Sequence, residues 1–162
     1  MVGQVDVKSQ PVYFNVQKNT TFSTMKKPIP FDLEIVNIGK AMNLTSGTFT
    51  TPTPGLYSFF YNGKSIFPAV TGFSHVVVFA YLNGNLIGSA HSSTSQSSAP
   101  KYESYESFSL QFTVNLQAGD KIWLEIDQQM RDTTVVASLH DDRYHYNQFS
   151  GWLQQENLKS PN

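Results

Sequence analysis

Cysteine is absent from the 162 residues of this chain. That excludes disulfides, thiolate metal sites and cysteine nucleophiles together. It leaves the compartment open, because only a cysteine-rich chain argues for an oxidising one. Charge is scarce as well: 14% of residues are Asp, Glu, Lys or Arg, and the formal net charge is -1. The densest basic point is Lys26-Lys27. Two lysines make neither a nucleic-acid footprint nor a grip on an anionic membrane. No run is long and apolar enough to span a bilayer, so membrane insertion is not expected. A nucleophile elbow, a phosphate loop and a His-Glu-x-x-His zinc motif are all missing. Met1 to Gln10 is polar, with no apolar leader segment. The expectation is a secreted protein whose leader has been removed.

What is present is aromatic and alternating. The chain has 12 Phe and 8 Tyr, residue types that favour strands. Phe108, Leu110, Phe112, Val114 and Leu116 alternate with Ser, Gln, Thr and Asn, giving one apolar and one polar face. Ile122, Leu124 and Ile126 repeat the pattern after Ala118-Gly119-Asp120. These two runs read as antiparallel neighbours joined by a tight turn. Val12 to Val16, Tyr57 to Tyr61, Val76 to Leu82, Val135 to Leu139 and Phe149 to Leu153 read as further strands. Asn83-Gly84 marks a hairpin, because both central residues must tolerate positive φ. Thr20 to Pro30 and the serine-rich stretch from His91 to Tyr105 read as exposed loops.

Many short strands and almost no helical period predict an all-β sandwich or barrel. The length fits one domain. Residues 1–10 read as a flexible N-terminal segment, 11–155 as the globular domain and 156–162 as a fraying tail.

Several short motifs occur in a particular order. They are Pro28-Ile29-Pro30-Phe31-Asp32, Asn37-Ile38-Gly39, Gly47-Thr48-Phe49 and Pro52-Thr53-Pro54-Gly55-Leu56-Tyr57-Ser58-Phe59. Leu82-Asn83-Gly84, Gly119-Asp120-Lys121-Ile122-Trp123-Leu124 and Phe149-Ser150-Gly151-Trp152-Leu153 follow. In this order the chain resembles the complement C1q globular domain family, from about Pro11 to about Leu153. Met42 departs from the family's usual Tyr and is expected to pack in its place. Gly55 is expected to serve a strained turn after Pro54.

The resemblance implies a ten-strand jelly-roll sandwich of two antiparallel sheets, similar to tumour necrosis factor. It implies a tight homotrimer that is extracellular and acts by binding protein, carbohydrate, lipid or microbial surfaces. It also implies calcium near the trimer apex in some members. By its spacing from Gly119-Asp120, Glu106 falls near a family acidic ligand position, with Glu103 beside it. The usual upstream aspartate has no counterpart in Ser97-Ser98-Ala99. Asp141 and Asp142 are an alternative oxygen pair. Calcium is the one cofactor candidate, and none is required for recognition.

His140-Asp141-Asp142-Arg143-Tyr144-His145 is the tempting cluster for chemistry. Catalysis would need these groups to converge in a cleft beside a nucleophile. A polar loop is the ordinary reading, and no enzyme activity is expected. Tyr102, Tyr105, Asp141, Asp142, Arg143, Tyr144 and His145 are instead candidates for a recognition surface, with Tyr146 beside them. Trp123 and Trp152 point away from the apolar faces of their strands and are candidates for the trimer interface. Sequons stand at Asn19-Thr20-Thr21 and Asn43-Leu44-Thr45. The reading is a secreted homotrimeric recognition module. It would bind carbohydrate or a microbial surface in the lectin-like manner of innate immunity. The alternative is a signalling or adhesive ligand for a protein receptor.

Overall fold

The computed structural model describes residues 10–98, 100–130 and 137–157. Eleven strands run in order: β1 (Tyr13–Gln17), β2 (Leu33–Ile38), β3 (Met42–Asn43), β4 (Thr48–Thr50), β5 (Gly55–Phe67) and β6 (Gly72–Leu82). β7 (Asn85–Gln96), β8 (Ser104–Leu116), β9 (Lys121–Met130), β10 (Ser138–Leu139) and β11 (Gln148–Glu156) complete them. One sheet contains β2, β1, β11, β5 and β8, with the short β10 continuing the β11 side of β5. The other has the order β3-β4-β9-β6-β7. The jelly-roll sandwich expected from the sequence is therefore present, with the two-residue β10 as an eleventh strand.

Alternation decides which side chains meet between the sheets. From the first sheet come Phe14, Val16, Tyr57, Phe59, Tyr61, Leu116, Phe149 and Leu153; from the second come Phe49, Val76, Val78, Ala80, Ile122, Leu124 and Ile126. Phe14, Phe49, Phe59 and Phe149 form a linked aromatic centre with ring centroids 5.1–6.3 Å apart. Met42 is buried at 3% exposure, in the packing role expected of it.

Glycine acts at two critical places. A Cβ on Gly151 would meet Phe14 and Phe59 ring carbons at 2.6 Å, so only glycine lets β11 cross this centre. Gly55 needs smallness and no turn: a Cβ there would run into the Gln155 carbonyl and Leu153. This corrects the expected strained turn, since the reason for glycine is close approach of β11. At the other hairpin the turn reading holds: Asn83 and Gly84 have φ of 51° and 87°.

Two further expectations need correction. β8 and β9 are not neighbours. β8 pairs with β5 along its whole length, and β9 pairs with β6 and β4. The turn at 117–120 crosses between sheets, so the two apolar faces confront each other across the core instead of lying side by side. The stretch 91–105 is not one loop either. Its first half completes β7, which pairs antiparallel with β6 from Leu82↔Asn85 to Gly72↔Gln96. The inward positions there are small, including Ser92, whose hydroxyl lies 2.6 Å from that of Ser65. Small polar residues on an edge strand carry no apolar alternation, so the pattern was invisible.

The 1–10 segment lies outside the described residues except for Gln10, as do Ala99, Val135, Val136 and 158–162. Glu156 ends β11, and the Asn157 amide donates to the Pro54 carbonyl at 2.9 Å. The tail expected from 156 therefore begins inside the pairing. Among the described residues, no helix is long and apolar enough to cross a membrane.

Candidate functional site

β1 starts and β11 finishes at the same end of the sandwich, where Tyr13 pairs with Trp152. The far end carries the loops 18–32, 68–71 and 140–147 and the residues 97, 98 and 100–103. Most of the recognition candidates lie at this far end.

Asp141 organises the 140–147 loop. It is buried, and its carboxylate accepts four hydrogen bonds. Oδ1 takes the amides of Asp142 (2.9 Å) and Tyr146 (3.0 Å). Oδ2 takes the amide (2.8 Å) and the side-chain nitrogen (2.9 Å) of Asn147. Asn147 extends the network inward, where its Oδ1 accepts the Tyr61 hydroxyl at 2.7 Å. Burial, and then the Asp141 charge, push the Tyr61 phenol well above its usual range, so it stays a neutral donor. His145 sits at φ 54°, and its Nδ1 donates to the Lys18 carbonyl at 2.9 Å. Lys18 is itself buried. Its ammonium donates to the Pro30 carbonyl at 3.0 Å and lies 3.5 Å from the Asp32 carboxylate. Asp141, Asn147, His145 and Lys18 are thus occupied in shaping the end of the molecule.

That framework presents an aromatic and cationic surface. Alternation along β5 and β8 turns Lys64 and Tyr105 outward on the same face. The Lys64 ammonium lies 3.9 Å from the Tyr146 ring centroid and 5.0 Å from that of Tyr105. His140 packs edge-on to Tyr105 at 4.9 Å, and its Nε2 lies 3.6 Å from the Asp142 carboxylate. Tyr144 is 6.0 Å from Tyr146 and 60% exposed. The Arg143 guanidinium covers the Tyr144 ring at 4.9 Å and donates to its hydroxyl at 2.8 Å. Beside them opens a groove of about 480 Å³, lined by Asn62, Lys64, Ser107, Ser109, Tyr146 and Gln148 among others. Ring faces, amides, hydroxyls and a cation suit a polar ligand with apolar patches.

The structure therefore brings Tyr105, Asp142, Arg143 and Tyr144 to one surface and assigns Asp141 and His145 to its support. Tyr102 is 70% exposed, with Lys101 over its ring at 5.3 Å. His140 and His145 turn to different partners, so the tempting cluster does not converge. Sequence reasoning missed Lys64 and Asn147. Lys64 gave one signal, a lone cation at an outward position of an apolar strand. Asn147 gave none.

Glu103 and Glu106 are both exposed. Among the described residues no group of three or more His, Asp or Glu side chains is placed to hold a metal. Calcium requires several oxygens, and Asp141 has committed both of its own. Within one protomer, Glu103 and Glu106 therefore have no third described acidic or histidine side chain grouped with them.

Trp152 and Trp123 lie on opposite outer faces. Trp152 is on the first sheet beside Tyr13, near exposed Ile38. Trp123 is on the second sheet, stacked on Tyr81 at 5.9 Å and 21°. One flat interface cannot contain both.

Two antiparallel sheets in this strand order define a jelly-roll sandwich. The sequence profile of the C1q domain matches residues 13–154, and the chain belongs to that family. Among solved structures it is similar to the globular domain of zebrafish complement 1qA protein. The TM-score is 0.64 at 20% identity, covering 90% of this chain and 99% of that one. C1q domains are recognition modules, typically extracellular and trimeric, that bind ligands or receptors.

Proposed function

We propose that this chain is a secreted homotrimeric lectin-like module that binds carbohydrate on microbial surfaces and performs no catalysis. The observation that carries this reading is the surface of Lys64, Tyr105, Tyr146 and Tyr144 beside a groove walled by amides and hydroxyls. Stacked rings meet the apolar faces of a sugar, and amides and hydroxyls meet its hydroxyl groups.

Trimerisation is supported by two apolar features that one subunit leaves uncovered. The outer face of the first sheet carries Tyr13, Ile38, Phe60 and Trp152. The lateral edge between β7 and β8 leaves Phe108, Phe112 and Val114 only half-buried. An edge of one subunit laid on the face of the next is a heterologous contact, and three such contacts close a ring. The grooves then face one direction, and weak single contacts multiply through effective concentration.

The second reading, a protein receptor, is favoured by the outer face of the second sheet. Phe73, Val77, Phe79 and Tyr81 form an outward row along β6 there. One pair of measurements separates the readings. Light scattering should give a trimer, and the trimer should bind glycan arrays and intact bacteria with competition by free sugar. A stable monomer at micromolar concentration, or saturable cell binding that no sugar competes, would overturn the lectin reading.

A further inference from the structure

The sequon at Asn43 stands beside a groove on the outer face of the second sheet. The groove has a volume of about 390 Å³ and is lined by Asn43, Ser46, Thr48, Thr50, Lys121 and Trp123 among others. Asn43 ends β3 and pairs with Thr48. Its Oδ1 accepts the Ser46 amide at 3.0 Å, which fixes the side chain at the rim. Among the described residues its Nδ2 has no hydrogen-bond partner, and Asn43 and Thr45 are both exposed. Within the groove, Trp123 is partly exposed although its Nε1 is covered and unpaired. The part of the indole that solvent sees is therefore carbon. Tyr81 stacks against the ring and holds its plane.

We propose that Asn43 is an N-glycosylation site whose first sugar is seated on Trp123, with Thr48 and Thr50 as its hydroxyl partners. The inference rests on the reading that the chain is secreted, because the donor is a membrane-lipid pyrophosphate oligosaccharide of the secretory pathway. In the transfer, Asn43 Nδ2 forms a bond to sugar C1 and loses one proton. The C1–oxygen bond to pyrophosphate breaks, and the lipid pyrophosphate leaves. A sugar seated this way places a C–H face on an aromatic face and keeps its hydroxyl rim towards Thr48, Thr50 and water. It would also cover indole carbon that the protein leaves wet. Asn19 differs. It sits on the 18–32 loop, and its sequon hydroxyl on Thr21 is already engaged with the Asp141 backbone at 3.4 Å.

The test uses the full chain behind a supplied secretory leader in a eukaryotic host. The leader imposes passage through the pathway, so an empty Asn43 counts against the site and leaves natural secretion to a separate test. Glycopeptide mass mapping should find Asn43 occupied and Asn43→Gln without that glycan. Trimming to the first sugar should leave tryptophan emission unchanged, and complete removal should shift it to the red. Trp123→Phe should abolish that shift, since Trp152 lies on the other sheet. Complete removal should also lower Tm by about 2–4 °C, the scale of one good contact in a chain of this size. An unoccupied Asn43, with Asn19 glycosylated or not, would overturn the proposal. So would an occupied Asn43 whose removal leaves both emission and Tm unchanged.

Discussion

Phe59 and Asp141 are nearly equally hidden from water, at 0% and 5% exposure, yet they hold the molecule for opposite reasons. Phe59 contributes by what it excludes. It lies between the sheets against Phe14, Phe49, Phe112 and Phe149, and neighbouring rings share its burial. Asp141 contributes by what it satisfies, since four donors of the 140–147 loop end on its two oxygens. The interior tolerates a change of apolar shape at graded cost. The loop end is built on a polar hub, and a change at that residue is felt by the loop it holds. The surface proposed for binding therefore rests on a polar scaffold, while the body beneath it rests on packing.

The largest effect is expected at the packed centre. Phe59→Ala should cost about 3–5 kcal/mol, through lost transfer energy and the cavity left among four rings. Urea denaturation should show a lower midpoint at unchanged slope. A loss under about 1 kcal/mol would mean that the centre collapses freely, and the contrast with the loop would fail.

Asp141→Ala should cost less, about 1–3 kcal/mol, because water can reach part of the loop and replace some lost partners. Its effect should be local. Hydrogen exchange should accelerate in 140–147 while β5 and β11 stay protected. Asp141→Asn keeps an acceptor and should fall between the parent and Asp141→Ala. Uniform loss of protection across both sheets would show that the loop is part of the cooperative body.

The same division explains what could be read before the structure. The aromatic interior was legible because apolar alternation is a local property of each strand. The motif residues Phe31, Phe49, Tyr57 and Phe59 are all buried there. The pairing of β8 was not legible, because its one-sided pattern fits a partner in either sheet. Half of β7 was hidden because an edge strand can place Ser and Ala inward. At the loop end, the tyrosines and charged residues were found by composition. Their roles were not, since Asp141 and Asp142 are adjacent in sequence yet one is a buried hub and the other faces Tyr105's neighbour, His140. Asn147 and Lys64 matter through contacts across about 80 residues of chain, as Lys64 N–H to Asn147 Oδ1 shows.

Alkaline pH should probe the interior by a smaller step. The Tyr57 hydroxyl donates to the Thr53 carbonyl at 2.6 Å, and burial pushes its pKa up to about 12. The phenol titrates near 10 when the chain is unfolded. Between these values the unfolded chain ionises and the folded chain does not. Stability should hold below pH about 10 and decline as pH rises towards 12. Tyr57→Phe should lessen that decline in denaturation midpoints measured across the range, and the Tyr61 phenol, also raised by burial, should carry what remains. An unchanged slope would place the alkaline sensitivity elsewhere.

The smallest stability effect is expected at the residue most exposed to functional loss. The Lys64 backbone is tied to the loop through the His140 amide, which donates to its carbonyl at 2.7 Å. The Lys64 ammonium lies over two ring faces, at 3.9 and 5.0 Å. Lys64→Gln keeps the backbone bonds and removes a cation–π contact, for which about 0.5–1 kcal/mol is typical at an accessible site. Thermal unfolding should scarcely move. Binding should move much more, because the ammonium lines the groove and its loss is repeated three times in a trimer. Avidity converts a modest loss per site into a large one, so a tenfold drop in single-site affinity should nearly abolish binding to a multivalent surface. Lys64→Arg should restore charge and stacking, and with them most of the binding. If Lys64→Gln binds bacteria and sugar as well as the parent does, the groove beside Tyr146 is not the recognition site. The outward row along β6 would then be the surface to test.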